Sequence, residues 1–319
     1  MKGCGYQGDR GICYQGVKRS MRKRLYYLMV SALFVCLAMP ASAQEGVFGQ
    51  IDWVNGYITA FGQGTARQGI SKSLALINST KAARADAMRN LLAVVKGVYI
   101  DSHTMVKDFM IQEDVVNANV QGLLMGAQTI KKETEWMDET PLTTVTIGLC
   151  MNAQSPKCAH GVTLISSLPF DNLKSYLEIP KTEYSEDMPG ISPDKIDFNY
   201  DSTKPVTGVV FRLKGHHFRR VLLPVVVAKL EGGDLATVYS VKHVDPGIVR
   251  SYGIVRYADT LDQATKIADL GDNFLVSPVE KVDEENTLII NTACASKISE
   301  TSRYGNDYLR KAKVVISAE

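Results

Sequence analysis

Five side chains between positions 214 and 220 form the densest group able to do chemistry: Lys214, His216, His217, Arg219 and Arg220. Guanidinium, ammonium and imidazole groups at this spacing can grip a carboxylate, a phosphate or an acidic protein surface. The same residues also read as a solvated loop between two strands. Adjacent histidines in an extended chain point to opposite faces, so His216 and His217 are poorly placed to ligate one metal together. The solvated loop is the favoured reading, with the segment kept as a candidate partner-binding loop; no metal or cofactor is expected.

A second group is Cys150 and Cys158, which flank the polar loop 151–157. In an oxidising compartment they are expected to pair. A metal site would want further Cys or His at close spacing, and only His160 is near. Cys294 is left as a free, buried thiol. The third candidate, Gly62-Gln63-Gly64, briefly resembles a dinucleotide loop. It fails because Arg67 stands where a third glycine belongs, and no Gly-Lys-Ser/Thr follows for a P-loop. Glycine freedom at a strand end or bulge explains it better. No nucleophile elbow, no H-E-x-x-H and no paired acids beside apolar residues occur, so the chain is expected not to be an enzyme.

The elements that carry these groups follow from periodicity. An apolar strand begins at Tyr57 (YITAFGQG). An alanine-rich helix follows from Asn78 to Lys96, capped by Asn78 or Ser79, with Ala85, Met88, Leu91, Leu92 and Val95 as its apolar face and Gly97 as its stop. Alternation then predicts a strand over 98–106, with His103 as a polar strand residue. After a short helix come facing strands 127–137 and 142–151, joined by a turn at Asp138-Glu139-Thr140-Pro141. From Pro169 to Pro205, prolines mix with acids and read as a solvated connector; the Asp/Asn spacing of a calcium loop is missing. Strands are predicted over 206–213, 221–230, 235–241, 274–282, 286–291 and 311–316, with helices over 260–270 and 292–303. Pro224 marks an edge or bulge within the second of these strands.

The fold expected is α+β. A β-α-β-(α)-β-β domain (44–160), with helices packed on an antiparallel or mixed sheet, leads through an acidic connector (161–205) to a β-rich α+β domain (206–319). Residues 1–43 read as an export signal: basic Met21-Arg22-Lys23-Arg24, an apolar run Leu25–Met39, and Ala41-Ser42-Ala43 as a cleavage site, with Met21 the natural start. That segment holds seven of the 36 Lys and Arg residues and one of the 34 acids, leaving 29 bases against 33 acids, a net −4. A mildly acidic mature chain gives no electrostatic reason to bind nucleic acid. No second apolar run of about 18 residues follows, so no membrane span is expected after cleavage.

Three segments carry a family resemblance: ITAFGQG, STKAARADAMRNLLAVVKGVYIDSHTMV and VVNANVQGLLMGAQTIKKETEWMDETPLTTVTIGLCM. Together they resemble the N-terminal domain of the flagellar assembly protein T (FlgT) family, and the related domain of FlgP-type outer-membrane lipoproteins. Ala60, Gly62, Gly64, Ala83, Ala87, Asn90, Leu91, Gly122, Gly126 and Val145 occupy the motif positions. No lipobox accompanies them, since Cys36 follows Leu33-Phe34-Val35. The resemblance covers about a third of the chain. It implies a periplasmic, non-catalytic part of an envelope structure, flagellum-associated and peripheral to the outer membrane, with envelope proteins or its own copies as partners. The alternative is a periplasmic module holding a small ligand or polysaccharide between domains. Trp53, Trp136 and the tyrosines at 252 and 257 would be its aromatic candidates.

Overall fold

A computed structural model describes residues 48–112, 114–154, 158, 161–168, 200–230, 234–304 and 306–319. The signal segment and residues 169–199 of the acidic connector lie outside the described residues. The described residues all belong to one unit, Val47–Glu319.

The chain opens with β1 (Gly49–Asp52) and β2 (Tyr57–Thr65), followed by the long helix α1 (Lys72–Lys96). Helix α1 begins earlier than its apolar periodicity suggests, because Ser71 caps it by accepting from the amide of Leu74. Its buried residues are Ala75, Ser79, Ala83, Ala87, Leu91 and Val95, one every four positions. The buried stripe is therefore mostly the small residues; Ala85 is exposed and Met88 and Leu92 only half-buried. Ser79, expected as a cap, is buried instead and bonds the Thr143 hydroxyl at 2.8 Å.

Two glycines of β2 allow this. A Cβ on Gly62 would lie 2.0 Å from the backbone nitrogen of Ala87, and one on Gly64 2.3 Å from that of Ala83. The helix backbone rests directly on the strand, and any side chain at either glycine would push them apart. Asn90 donates to the Phe61 carbonyl (2.8 Å) and Asp86 accepts from the Gln63 amide (3.0 Å), fixing the helix lengthwise.

The strand predicted over 98–106 does not form. Asp101 is half-turned into the backbone, accepting from the amides of His103 and Thr104 at 2.8 Å each, and only Tyr99 and Met105 bridge across the turn. This Asx-type turn outcompetes extension because a short carboxylate satisfies two donors locally. Val106 already starts α2 (Val106–Gln112), followed by α3 (Asp114–Met125). The facing strands β3 (Gln128–Met137) and β4 (Thr140–Cys150) close the unit, turning at Asp138 with φ 54°. The sheet order is β1-β2-β4-β3, antiparallel throughout, with α1 on one face.

Part of the predicted connector is core. Residues Leu164–Ser167 form α4, capped by Thr163, with Leu164, Ile165 and Leu168 buried. Three apolar side chains within five residues outweigh the neighbouring polar composition. Farther on, Asn273 ties residues 201–205 down, donating to the carbonyls of Asp201, Lys204 and Pro205.

The second half contains β5 (Gly208–Arg212), β6 (Val226–Lys229), β7 (Leu235–Tyr239), α5 (Pro246–Tyr252), β8 (Arg256–Ala258), α6 (Leu261–Thr265), β9 (Phe274–Pro278), β10 (Lys281–Val282), β11 (Leu288–Ile290), α7 (Thr292–Tyr304) and β12 (Val314–Ser317). These build two four-stranded sheets. One, β8-β12-β5-β9, is wholly parallel; the other, β10-β11-β6-β7, is mixed. Residues 221–225, predicted as strand, instead cross to the first half, where the amides of Leu222 and Leu223 bond the carbonyls of Tyr99 and Ile100 at 3.0 and 2.7 Å. Pro224 cannot donate to a ladder, so the strand proper begins beyond it. One contiguous hydrophobic core runs from Ile58 through Leu222 to Ile316. The architecture is α+β.

Prediction: Gly62→Val forces α1 off β2 and lowers stability by at least about 3 kcal/mol, the upper range of core overpacking. Gly69→Ala, at an open turn with φ 80°, costs about 1 kcal/mol through backbone strain alone. Urea denaturation of the two variants checks the contrast.

Candidate functional site

Strand β5 delivers the basic loop. Lys214 (φ 52°) and Gly215 (φ 83°) reverse the chain immediately after Leu213, and the His216 amide returns to the Leu213 carbonyl at 3.0 Å. The loop lies at the carboxyl end of the parallel sheet, where such sheets leave a crevice. A small cavity of about 230 Å³ there is lined by His216, His217, Phe218, Arg220 and Tyr257.

The five basic residues do not act as one cluster. Arg219 lies over the Tyr99 ring (3.8 Å to the centroid) and donates to the Ser102 carbonyl at 2.5 Å, so it joins the two halves of the chain. Its own backbone is held in both directions by Asn286, at 2.8 and 2.9 Å. Arg220 pairs with Asp259 at 2.5 Å and reaches over Tyr257. The Tyr257 hydroxyl is buried and bonds both the amide and the carbonyl of Val221, and burial pushes its pKa up. Lys214, His216 and His217 stay exposed. Sequence adjacency suggested a shared anion grip, whereas the two arginines are held by separate partners within the chain, Arg219 while still exposed.

In the first sheet, Cys150 closes β4 and is joined to Cys158, with Cα atoms 5.7 Å apart. Cys294 is a buried free thiol in α7. Burial pushes its pKa up. Among the described residues, no group of three His, Cys, Asp or Glu side chains could hold a metal ion.

Beside the disulfide opens a cavity of about 690 Å³. Its walls are α3, the first residues of β2 and β3, the last of β4, the turn leading into α4, and Ser166 and Ser167 of α4. The Tyr57 ring crosses Gly148, where a Cβ would sit 2.5 Å from the ring and 2.7 Å from the hydroxyl. Gly122 lies within α3, and a Cβ there would meet nothing within 4 Å. Glycine inside a helix costs about 1 kcal/mol relative to alanine, so α3 is weakened at this point without relieving any clash. Both glycines of this helix end, Gly122 and Gly126, belong to the family-like motif of the sequence, but nothing in their spacing revealed a cavity.

The aromatic candidates do not converge. Trp53 packs edge-on against Tyr257 at 5.5 Å, Trp136 is exposed with Lys72 over its ring, and Tyr252 is covered on one side by Arg256.

Residues 208–319 match a family described as Treponema pallidum Tp0624, second domain. The match begins at the first residue of β5 and spans both sheets of the second half, about a third of the chain. No curated protein matches the chain.

Two outcomes are expected. Arg219→Ala loses its ring contact and its bond across the halves, lowering stability by about 1–2 kcal/mol, whereas His216→Ala and His217→Ala stay within about 0.5 kcal/mol; chemical denaturation reads the difference. Exported, non-reduced protein shows no reactive thiol when native, one after denaturation, and two more after reduction. Three thiols without reductant would contradict the disulfide.

Proposed function

We propose that this chain is an exported, non-catalytic component of a bacterial cell-envelope structure, acting through surfaces of its first sheet. The observation that carries this reading is the state of β3. All ten of its residues are exposed or nearly so, and it forms the edge of the sheet. The sheet face away from α1 bears Phe61, Gln63 and Thr65 in β2 and half-buried Leu142, Thr144 and Thr146 in β4. Phe48 packs edge-on against Phe61 there at 5.6 Å.

A long exposed edge is a template for pairing with another chain, and proteins guard it unless it is used. Here Lys131, Lys132 and the register shift between Thr129 and Lys131 protect one part, leaving Trp136 and Met137 exposed at the other. Export is supported by the signal-like N-terminus and by the disulfide, which suits an oxidising compartment. Among the described residues no helix is long and apolar enough to cross a membrane. The flagellar association rests on the FlgT-like motif, of which Gly62, Gly64, Ala83 and Ala87 are the residues that seat α1 on β2. Peripheral attachment to the outer membrane rests on the same resemblance.

Protein purified from the periplasm of an exporting host is expected to self-associate with rising concentration in light scattering. Phe61→Glu combined with Met137→Glu returns it to monomer with little loss of stability. A strict monomer at every concentration would overturn self-assembly through this sheet.

A further inference from the structure

The 690 Å³ cavity beside the disulfide is not used by the reading above and stands independently of it. Its volume lies within the roughly 300–1,000 Å³ usual for small-molecule sites. None of its fourteen lining residues carries a charge: it is walled by glycine, alanine, leucine, valine, cystine, serine, asparagine, glutamine and tyrosine. A charged ligand would lose hydration there without gaining a partner.

The polar groups present are those that both donate and accept. Asn119 and Gln128 bring amides, the Asn119 nitrogen also reaching the Ser167 carbonyl at 3.4 Å, while the Ser166 hydroxyl is taken up by Thr163, accepting from its amide at 2.9 Å and donating to its carbonyl at 2.8 Å. Tyr57 adds a flat ring whose hydroxyl has no hydrogen-bond partner among the described residues, and burial raises its pKa. Few large apolar side chains line the space, chiefly Leu123, Leu149 and Val162, so a lipid tail would find little to cover it.

The geometry points to a binding site for a neutral saccharide of one or two rings, seated with a carbon-bound face on Tyr57 and its hydroxyl or acetamido groups toward Asn119 and Gln128. Gly122 supports this assignment. Helix α3 carries the least helix-favouring residue other than proline at a position where a side chain would fit without collision. What a side chain there would do is occupy the cavity. The disulfide fixes the opposite wall, tying Cys158 and the turn beyond it to the end of β4.

The test is calorimetric titration of the full exported protein with N,N′-diacetylchitobiose. Saturable binding is expected, weakened at least roughly tenfold by Tyr57→Ala and by Gly122→Leu, a change of about 1.4 kcal/mol. Gly122→Leu is also expected to melt at or above the temperature of the unmodified protein, which separates a filled cavity from a damaged fold. A disaccharide bearing a uronic acid is expected to bind more weakly. The proposal is overturned by absence of saturable binding, by binding that Gly122→Leu leaves unchanged, or by tighter binding of the acidic sugar. None of these outcomes bears on self-association, which light scattering reads separately.

Discussion

The contact between the backbones of α1 and β2 is the constraint on which the first half depends. Gly62 and Gly64 leave no side chain between the strand and the helix nitrogens of Ala87 and Ala83. Because the helix sits this low, its buried stripe is built from alanine and serine, and its large residues are displaced to the flanks. Apolar burial per residue is small in such a seam. Its stability comes from contact density and from the side-chain bonds of Ser79, Asp86 and Asn90 that lock the register. The body of α1 covers β2 and β4, whereas β3 is met by long side chains, Arg84 donating to Thr129 and Lys72 lying over Trp136, and stays exposed along its length.

A second constraint joins the halves. The carbonyls of Tyr99 and Ile100 receive the amides of Leu222 and Leu223, and Arg219 closes the same seam over Tyr99. Further along, the Ala153 amide bonds the Ser251 carbonyl, and Gln154 donates to the carbonyls of Tyr252 and Val255. The hydrophobic core therefore continues across a boundary that composition placed at a solvated connector. The basic loop is part of this seam as well as part of the surface, which is why its arginines and histidines have different roles.

Much of the fold was legible in local pattern. The strand at Tyr57, the body of α1, the β3–β4 pair and most strands of the second half follow from periodicity of two or of 3.6 and from turn residues at their ends. Misreadings have specific causes. The alternation over 98–106 is real, but the Asp101 carboxylate captures two amides and turns the chain. The apolar run at 221–225 is equally real, yet the partners of its Leu222 and Leu223 amides lie over a hundred residues away in sequence. The short elements α5 and β8 carry too few residues for a period to show.

What the sequence determined by itself was the α+β class, an alanine-rich helix after the first strand, and two cysteines at a spacing suited to pairing. All are local or nearly so: they depend on residue type and on neighbours within one or two elements. Gly62 and Gly64, read as a strand end or bulge, instead lie in regular β2 where the helix backbone rests on them. The wholly parallel sheet, the shared core, the division of labour within the basic loop and the cavity under Gly122 were decided only by tertiary structure. Each arises where residues distant in sequence meet. The cavity shows the reason most directly, since its walls come from two helices, three strand ends and a turn, and no single one of those segments encodes the empty space between them.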